Sequence, residues 1–136
     1  MLFITKMVSI LTILMATTLE TAAAVEASTS VDTALAPAHI GDMTYYDPSQ
    51  SGNEVACGGK YGPNDRIAAV GAGVFDHRAV CGKTATVSYN GKSVTATIVD
   101  LCDGCKNDDI DVTPVVFEEL APTPSGRIPG VAWDLS

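Results

Sequence analysis

Positive charge is scarce in this chain: eight Lys and Arg stand against sixteen Asp and Glu, a net charge of −8 over 136 residues. No Lys/Arg cluster relieves that balance, which excludes nucleic acid and an anionic membrane surface as partners. Strongly anionic polymers such as de-esterified pectin would be repelled too, so neutral partners remain. Histidine is nearly absent. His39 and His77 do not group with the four cysteines, and a zinc site would need two more ligands at matching spacing. No cofactor and no metal are expected. Aromatic residues are 6% of the chain, with one Trp. The apolar run 7–19, "MVSILTILMATTL", falls short of the roughly 20 residues that cross a bilayer.

What is present at the N-terminus is a secretory pattern: Lys6, that apolar run, then small residues with an Ala-x-Ala site at Ala22 and Ala24. The expectation is a signal peptide over 1–24 and a secreted, extracellular protein. Residues 25–39 have neither aromatics nor periodicity and read as a disordered lead-in. Residues 40–136 then form one domain, expected to be monomeric. An even count of cysteines in an oxidising compartment, Cys57, Cys81, Cys102 and Cys105, argues for two disulfides. Joining Cys102 to Cys105 would close a tiny loop and gain least chain entropy. The expected pairing therefore joins each separately to Cys57 or Cys81.

Strand signals dominate this domain: "DMTYY" (42–46), "RIAAV" (66–70) and "IPGVAWDL" near the C-terminus. In "KTATVSYNGKSVTATIVD" (83–100), Asn90-Gly91 supplies the two positive-φ positions of a type I′ turn. A two-residue loop pairs Tyr89 with Lys92, Val87 with Val94 and Ala85 with Ala96. The apolar pairs then fall on one face and the Ser and Thr pairs on the other. Thr113-Pro114 opens a short helix, 114–120, with Val116, Phe117 and Leu120 on one side. Short strands, glycine turns and one small helix indicate an all-β chain folded as a small barrel.

The segments "GDMTYYD", "ACGG", "IAAV", "VCGKTATVSYNGKSVTATIVDLCDGC", "IDVTPVVFEEL" and "GRIPGVAWDL" follow one another as in the single-domain expansin-like proteins of fungi, the loosenin type. The chain resembles that family over nearly all of 40–136, and through it expansin domain 1, rare lipoprotein A, barwin and the family-45 endoglucanases. The resemblance implies a six-stranded double-psi β-barrel with an open groove for cell-wall polysaccharide, loosened without hydrolysis. "DIDVT" puts Asp111 at the endoglucanase acid position, and "VDLC" puts Asp100 at the expansin groove aspartate.

Hydrolysis takes two carboxylates about 5–10 Å apart. The endoglucanases place their base four residues beyond a strand threonine; here Thr44 has Pro48 at that spacing and Asp47 one residue short. The reading is therefore an acid without its partner, in a groove formed by Thr44, one of Tyr45 and Tyr46, Asp47, Asp100 and Asp111. Asp100 has a second reading as a cap on backbone amides, and Trp133 serves equally as core or as ligand platform. Asp103, Asp108 and Asp109 read as turn residues. The rival functions are a weak glycan-cleaving enzyme, endoglucanase or lytic transglycosylase, using Asp111 as acid, and a barwin-like cysteine-protease inhibitor or host-directed effector. In the latter, loops 48–64 and 72–80 would meet a protease or host protein.

Overall fold

In the computed structural model, which describes residues 36–136, the chain builds six strands and two short helices. The expected leader over 1–24 and residues 25–35 of the lead-in lie outside the described residues. The elements are β1 (His39–Tyr45), β2 (Ile67–Val70), α1 (Ala72–Phe75), β3 (Thr84–Tyr89), β4 (Lys92–Leu101), β5 (Ile110–Val112), α2 (Pro114–Leu120) and β6 (Arg127–Leu135). The strands close in the order β1-β5-β2-β4-β3-β6, and closure leaves no edge strand open to pairing with another chain.

The hairpin forms in the register expected from the sequence, with Tyr89 opposite Lys92, Val87 opposite Val94 and Ala85 opposite Ala96. Asn90 and Gly91 take φ of 49° and 77°, as the type I′ turn requires. Ala85, Val87, Val94 and Ala96 are all buried, together with Met43, Ile98, Ile110, Val112 and Val131. Helix α2 packs against β1 and β4 and buries Val116, Phe117 and Leu120, the side expected. Each such large apolar side chain contributes about 1.5–3 kcal/mol by leaving water. Thr113 departs from expectation. It precedes the helix but makes no side-chain cap; its fully buried hydroxyl donates to the carbonyl of Asp65 instead, since an unpaired buried hydroxyl would be costly.

Two irregularities shape the barrel. Between Gly41 and Met43 the β1–β6 register slips, the extra residue falling at Pro129-Gly130, where Gly130 has φ 71°. That bulge lets Ile128, Val131 and Trp133 all face inward despite their odd spacing. The second slip lies between β2 and β4: Ala68 faces Ile98, but Ala69 faces Asp100, skipping Val99.

The disulfides correct the expected pairing. Cys57 joins Cys81, and Cys102 joins Cys105. Cys102 and Cys105 sit on one tight turn, with the Cys105 amide donating to the Cys102 carbonyl and their Cα atoms 5.3 Å apart. Chain entropy ranks cross-links by their effect on the unfolded state, but native geometry decides which sulfurs meet. The Cys57–Cys81 bridge ties the long connection between β1 and β2 to the turn before β3.

β1 also starts one residue before the Ile40 boundary. The His39 ring stacks on Trp133 at a centroid distance of 4.0 Å, and its Nδ1 lies 3.0 Å from an Asp108 carboxylate oxygen.

Candidate functional site

The site is a row of side chains running across strands rather than along one. β1 pairs with β5 so that Thr44 faces Asp111. Ala69 on β2 faces Asp111 on one side and Asp100 on the other, and Thr44 faces Arg127 on β6. The row therefore reads Asp100, Ala69, Asp111, Thr44, Arg127 over five neighbouring strands. At roughly 4.8 Å per strand, the Cα atoms of Asp100 and Asp111 lie about 10 Å apart, with only the small Ala69 between them. The bulge at Val99 is what brings Asp100 into this row. In a regular ladder one residue of slip would turn its side chain to the other face.

The two acids differ in how they are held. Asp100 Oδ1 accepts the amides of Ala56 at 2.8 Å and Leu101 at 2.9 Å, and Oδ2 accepts the Tyr46 hydroxyl at 3.0 Å. Asp100 thus caps backbone amides, as its second reading had it, and by register also stands in the row. Burial pushes the Tyr46 phenol far above its ordinary range, with the charge and hydrogen bond of Asp100 adding to the effect, so Tyr46 remains a hydrogen-bond donor at any physiological pH. Asp111 takes a hydrogen bond from Thr44 Oγ1 at 2.8 Å. Burial raises its pKa, against the pull of that bond and of Arg127, while the Asp100 charge raises it further. A carboxyl so placed holds its proton more readily than a solvated one.

Arg127 is anchored by Asp42, Nη1 to Oδ2 at 2.9 Å. It lines a cleft of about 290 Å³ with Thr44, Tyr45, Asp109, Asp111 and the Cys102–Cys105 turn. A second cleft, about 210 Å³, opens beside Tyr46, Asp47, Val55 and Asp100. Both tyrosines line the groove, where strand alternation implied that one would pack inward. Tyr46 reaches Asp100, and Tyr45, 37% exposed, lines the Asp111 cleft while packing on Phe117 at 4.8 Å. The reason is that β1 ends at Tyr45 and alternation stops there.

The remaining candidates are held in structural roles. Trp133 is only 1% exposed and its Nε1 donates to the Asp108 carbonyl at 2.8 Å, so it is core and not a ligand platform. Asp47 caps the turn at 48–51, accepting the Ser49 amide and hydroxyl, and those bonds lower its pKa. Tyr61 packs beside the small apolar cluster of Val55, Ile67 and Val99.

The aspartates of "CDGCKNDD" pin the loop they occupy. Asp109 accepts amides of Asp42 and Lys106, and Asp108 contacts His39 and Trp133. The loop comes so close to β1 that a Cβ on Gly41 would fall 2.1 Å from the Asp108 carbonyl oxygen. Arg127 and Ala69 were missed from sequence because nothing local marks them; only cross-strand register does.

One further segment stands out. Asp76, His77 and Arg78 take φ of 36°, 51° and 74° in succession, left-handed backbone that costs non-glycine residues about 1–2 kcal/mol each. All three are exposed and rim a cavity of about 560 Å³ over Phe75 and Leu101.

No family model matches the chain. Allergen Asp f 7 of Aspergillus fumigatus is 41% identical over 96 residues, covering 69% of this chain but 35% of that protein; the chain thus spans about a third of that relative's length. A papain inhibitor of Streptomyces mobaraensis is 29% identical over 111 residues, 76% of each chain. Among solved structures, Streptomyces papain inhibitor superposes with a TM-score of 0.60 at 28% identity, over 71% of this chain and 91% of that one. Clavibacter michiganensis expansin, solved in complex with cellohexaose, superposes at 0.62 and 26% identity, over 72% and 50%. With its closed six-stranded barrel, two short helices and two disulfides, this chain has the double-psi β-barrel fold that both neighbours share.

Proposed function

We propose that this chain is a secreted expansin-like protein that holds a β-linked cell-wall polysaccharide, cellulose, chitin or a similar glycan, across the row from Asp100 to Arg127 and loosens it without hydrolysis. The observation that carries the reading is the row itself: two acids flanking Ala69, with Thr44 and Arg127 continuing the line. The solved expansin with cellohexaose lends support at the level of fold. Asp111, held by Thr44 and with its pKa raised by burial, is the carboxyl of the row placed to hydrogen-bond a glycan hydroxyl. The other nearby carboxylates are engaged: Asp100 and Asp109 hold backbone amides, and Asp47 caps its own turn. With those carboxylates committed to positioning the backbone, the groove favours disruption of non-covalent contacts over bond cleavage, which by the usual route needs an acid and a base about 5–10 Å apart.

The test is mechanical weakening of filter paper by wild type and Asp111→Asn, with reducing sugar assayed in the same tubes. Wild type should weaken the paper without sugar release, and the variant should be inert yet melt cooperatively. Weakening by the variant equal to wild type would remove Asp111 from the mechanism. Sugar release that disappears in the variant would instead make this a weak glycan-cleaving enzyme.

A second reading, a cysteine-protease inhibitor, has its own support. The papain inhibitor aligns over 91% of its length, and the exposed left-handed run 76–78 beside its cavity has the form of a strained loop presented to a protein partner. Titration against papain separates the two: stoichiometric inhibition abolished by substitutions at His77 and Arg78, with filter paper unaffected, would put this reading in place of the first.

A further inference from the structure

The groove does not end at Arg127. That residue lines both the Asp111 cleft and a larger one, about 460 Å³, between the β3–β4 turn and the connection from α2 to β6. Tyr89, Asn90 and Lys92 line this larger cleft and also a third, about 350 Å³, bounded by Gly130. The three clefts are neighbours that share walls, Arg127 between the first two and Tyr89, Asn90 and Lys92 between the last two. From Asp100 to Arg127 the row crosses four strand spacings, about 19 Å along the curved wall of the barrel, and the larger cleft lies beyond its end. A ligand touching both Asp111 and Tyr89 must be an extended chain.

The lining changes character along that path. The first cleft holds Asp109 and Asp111. In the two beyond Arg127 no lining residue is acidic, in a chain with sixteen Asp and Glu. What they present is the Tyr89 ring, proline faces at Pro122 and Pro129, and the donors Asn90 and Lys92. A flat ring beside amide and ammonium donors suits a pyranose, whose C–H face stacks while its hydroxyls accept at the rim.

We propose that the cleft around Tyr89 is a distal subsite for the same glycan strand that lies across Asp111. The proposal rests on the polysaccharide reading. Tyr89 supplies the stacking face, Lys92 and Asn90 bind hydroxyls, and Arg127 marks the junction between the acid cleft and the subsite. Affinity must then depend on chain length.

Calorimetric titration of the full chain with cellotriose and cellohexaose tests this, using wild type, Tyr89→Leu and Tyr89→Phe. Tyr89 packs partly against the core, so leucine is chosen to keep apolar volume there and melting temperature verifies folding. Wild type should bind the hexaose roughly 3- to 10-fold more tightly than the triose, as one aromatic contact implies. Tyr89→Leu should lose that advantage while leaving triose affinity unchanged, and Tyr89→Phe should retain it. Equal binding of both sugars by wild type, or an advantage that survives Tyr89→Leu, overturns the subsite while the polysaccharide reading stands. A loss in Tyr89→Phe as large as in Tyr89→Leu overturns the stacking role. Binding of neither sugar, nor of chitohexaose titrated alongside them, overturns the polysaccharide reading, and the subsite falls with it.

Discussion

Two paired substitutions, Cys57→Ala with Cys81→Ala and Cys102→Ala with Cys105→Ala, measure what each bridge does. The first bridge spans a sequence separation of 24 and the second a separation of 3. Restricting the unfolded chain by such loops stabilises the fold by about 3.5 kcal/mol and about 1.9 kcal/mol respectively. For a domain of this size those losses lower the melting temperature by roughly 14–28 °C and 7–15 °C. Differential scanning calorimetry reads the difference, and thiol titration of the denatured proteins reads the pairing. With the bridges as they stand, each double variant loses one bridge whole and shows no free thiol. Had Cys102 and Cys105 each been joined to a distant partner, either double variant would break both bridges, expose two thiols and melt like the other. Equal melting with two thiols apiece would refute the pairing. The short bridge has a further consequence, because Cys102 and Cys105 line the Asp111 cleft. On the proposed polysaccharide reading, its removal should weaken glycan binding as well as stability.

Two more outcomes are expected. Asp111 titrates above its ordinary 3.8 because it is buried, so the folded protein holds that proton more tightly than the unfolded chain and stability falls as pH rises from 3.8 through the raised value. Asp111→Asn should therefore melt higher than wild type at neutral pH, with the gap closing as pH falls towards 3.8; a variant less stable at neutral pH would contradict the burial argument. Trp133→Ala empties a site that is 1% exposed and should cost about 3–5 kcal/mol by urea titration. A loss under about 1 kcal/mol would mean that the indole is not core.

How much of the site was legible before the fold was known varies residue by residue. Asp111 and Asp100 were named from the short segments around them, and both stand in the row. Thr44 was named from the strand threonine that the resemblance implies and Tyr46 as one of two tyrosines able to line the groove, and each donates to one of those acids. Asp47, named for its spacing from Thr44, borders the Asp100 cleft but is turned into a cap on its own turn, and Trp133, named as core or ligand platform, is core. Adjacency in sequence does not say which way a side chain turns once a strand ends at Tyr45 or bulges at Gly130.

By itself the sequence determined whatever depends on neighbours along the chain. Asn90-Gly91 admits only a tight turn, and the alternation of apolar and hydroxyl residues on either side admits only one pairing of that hairpin. Pro114 starts a helix whose 3.6-residue period puts Val116, Phe117 and Leu120 together. Tertiary structure alone decided what depends on residues far apart: which cysteines meet, which strands run parallel, and which residue stands beside Asp111. Asp100 reaches its row only because β4 bulges against β2, and Arg127 only because β6 closes the barrel on β1. Those placements follow from the packing of one whole core, and no local stretch of chain contains the energy that selects them.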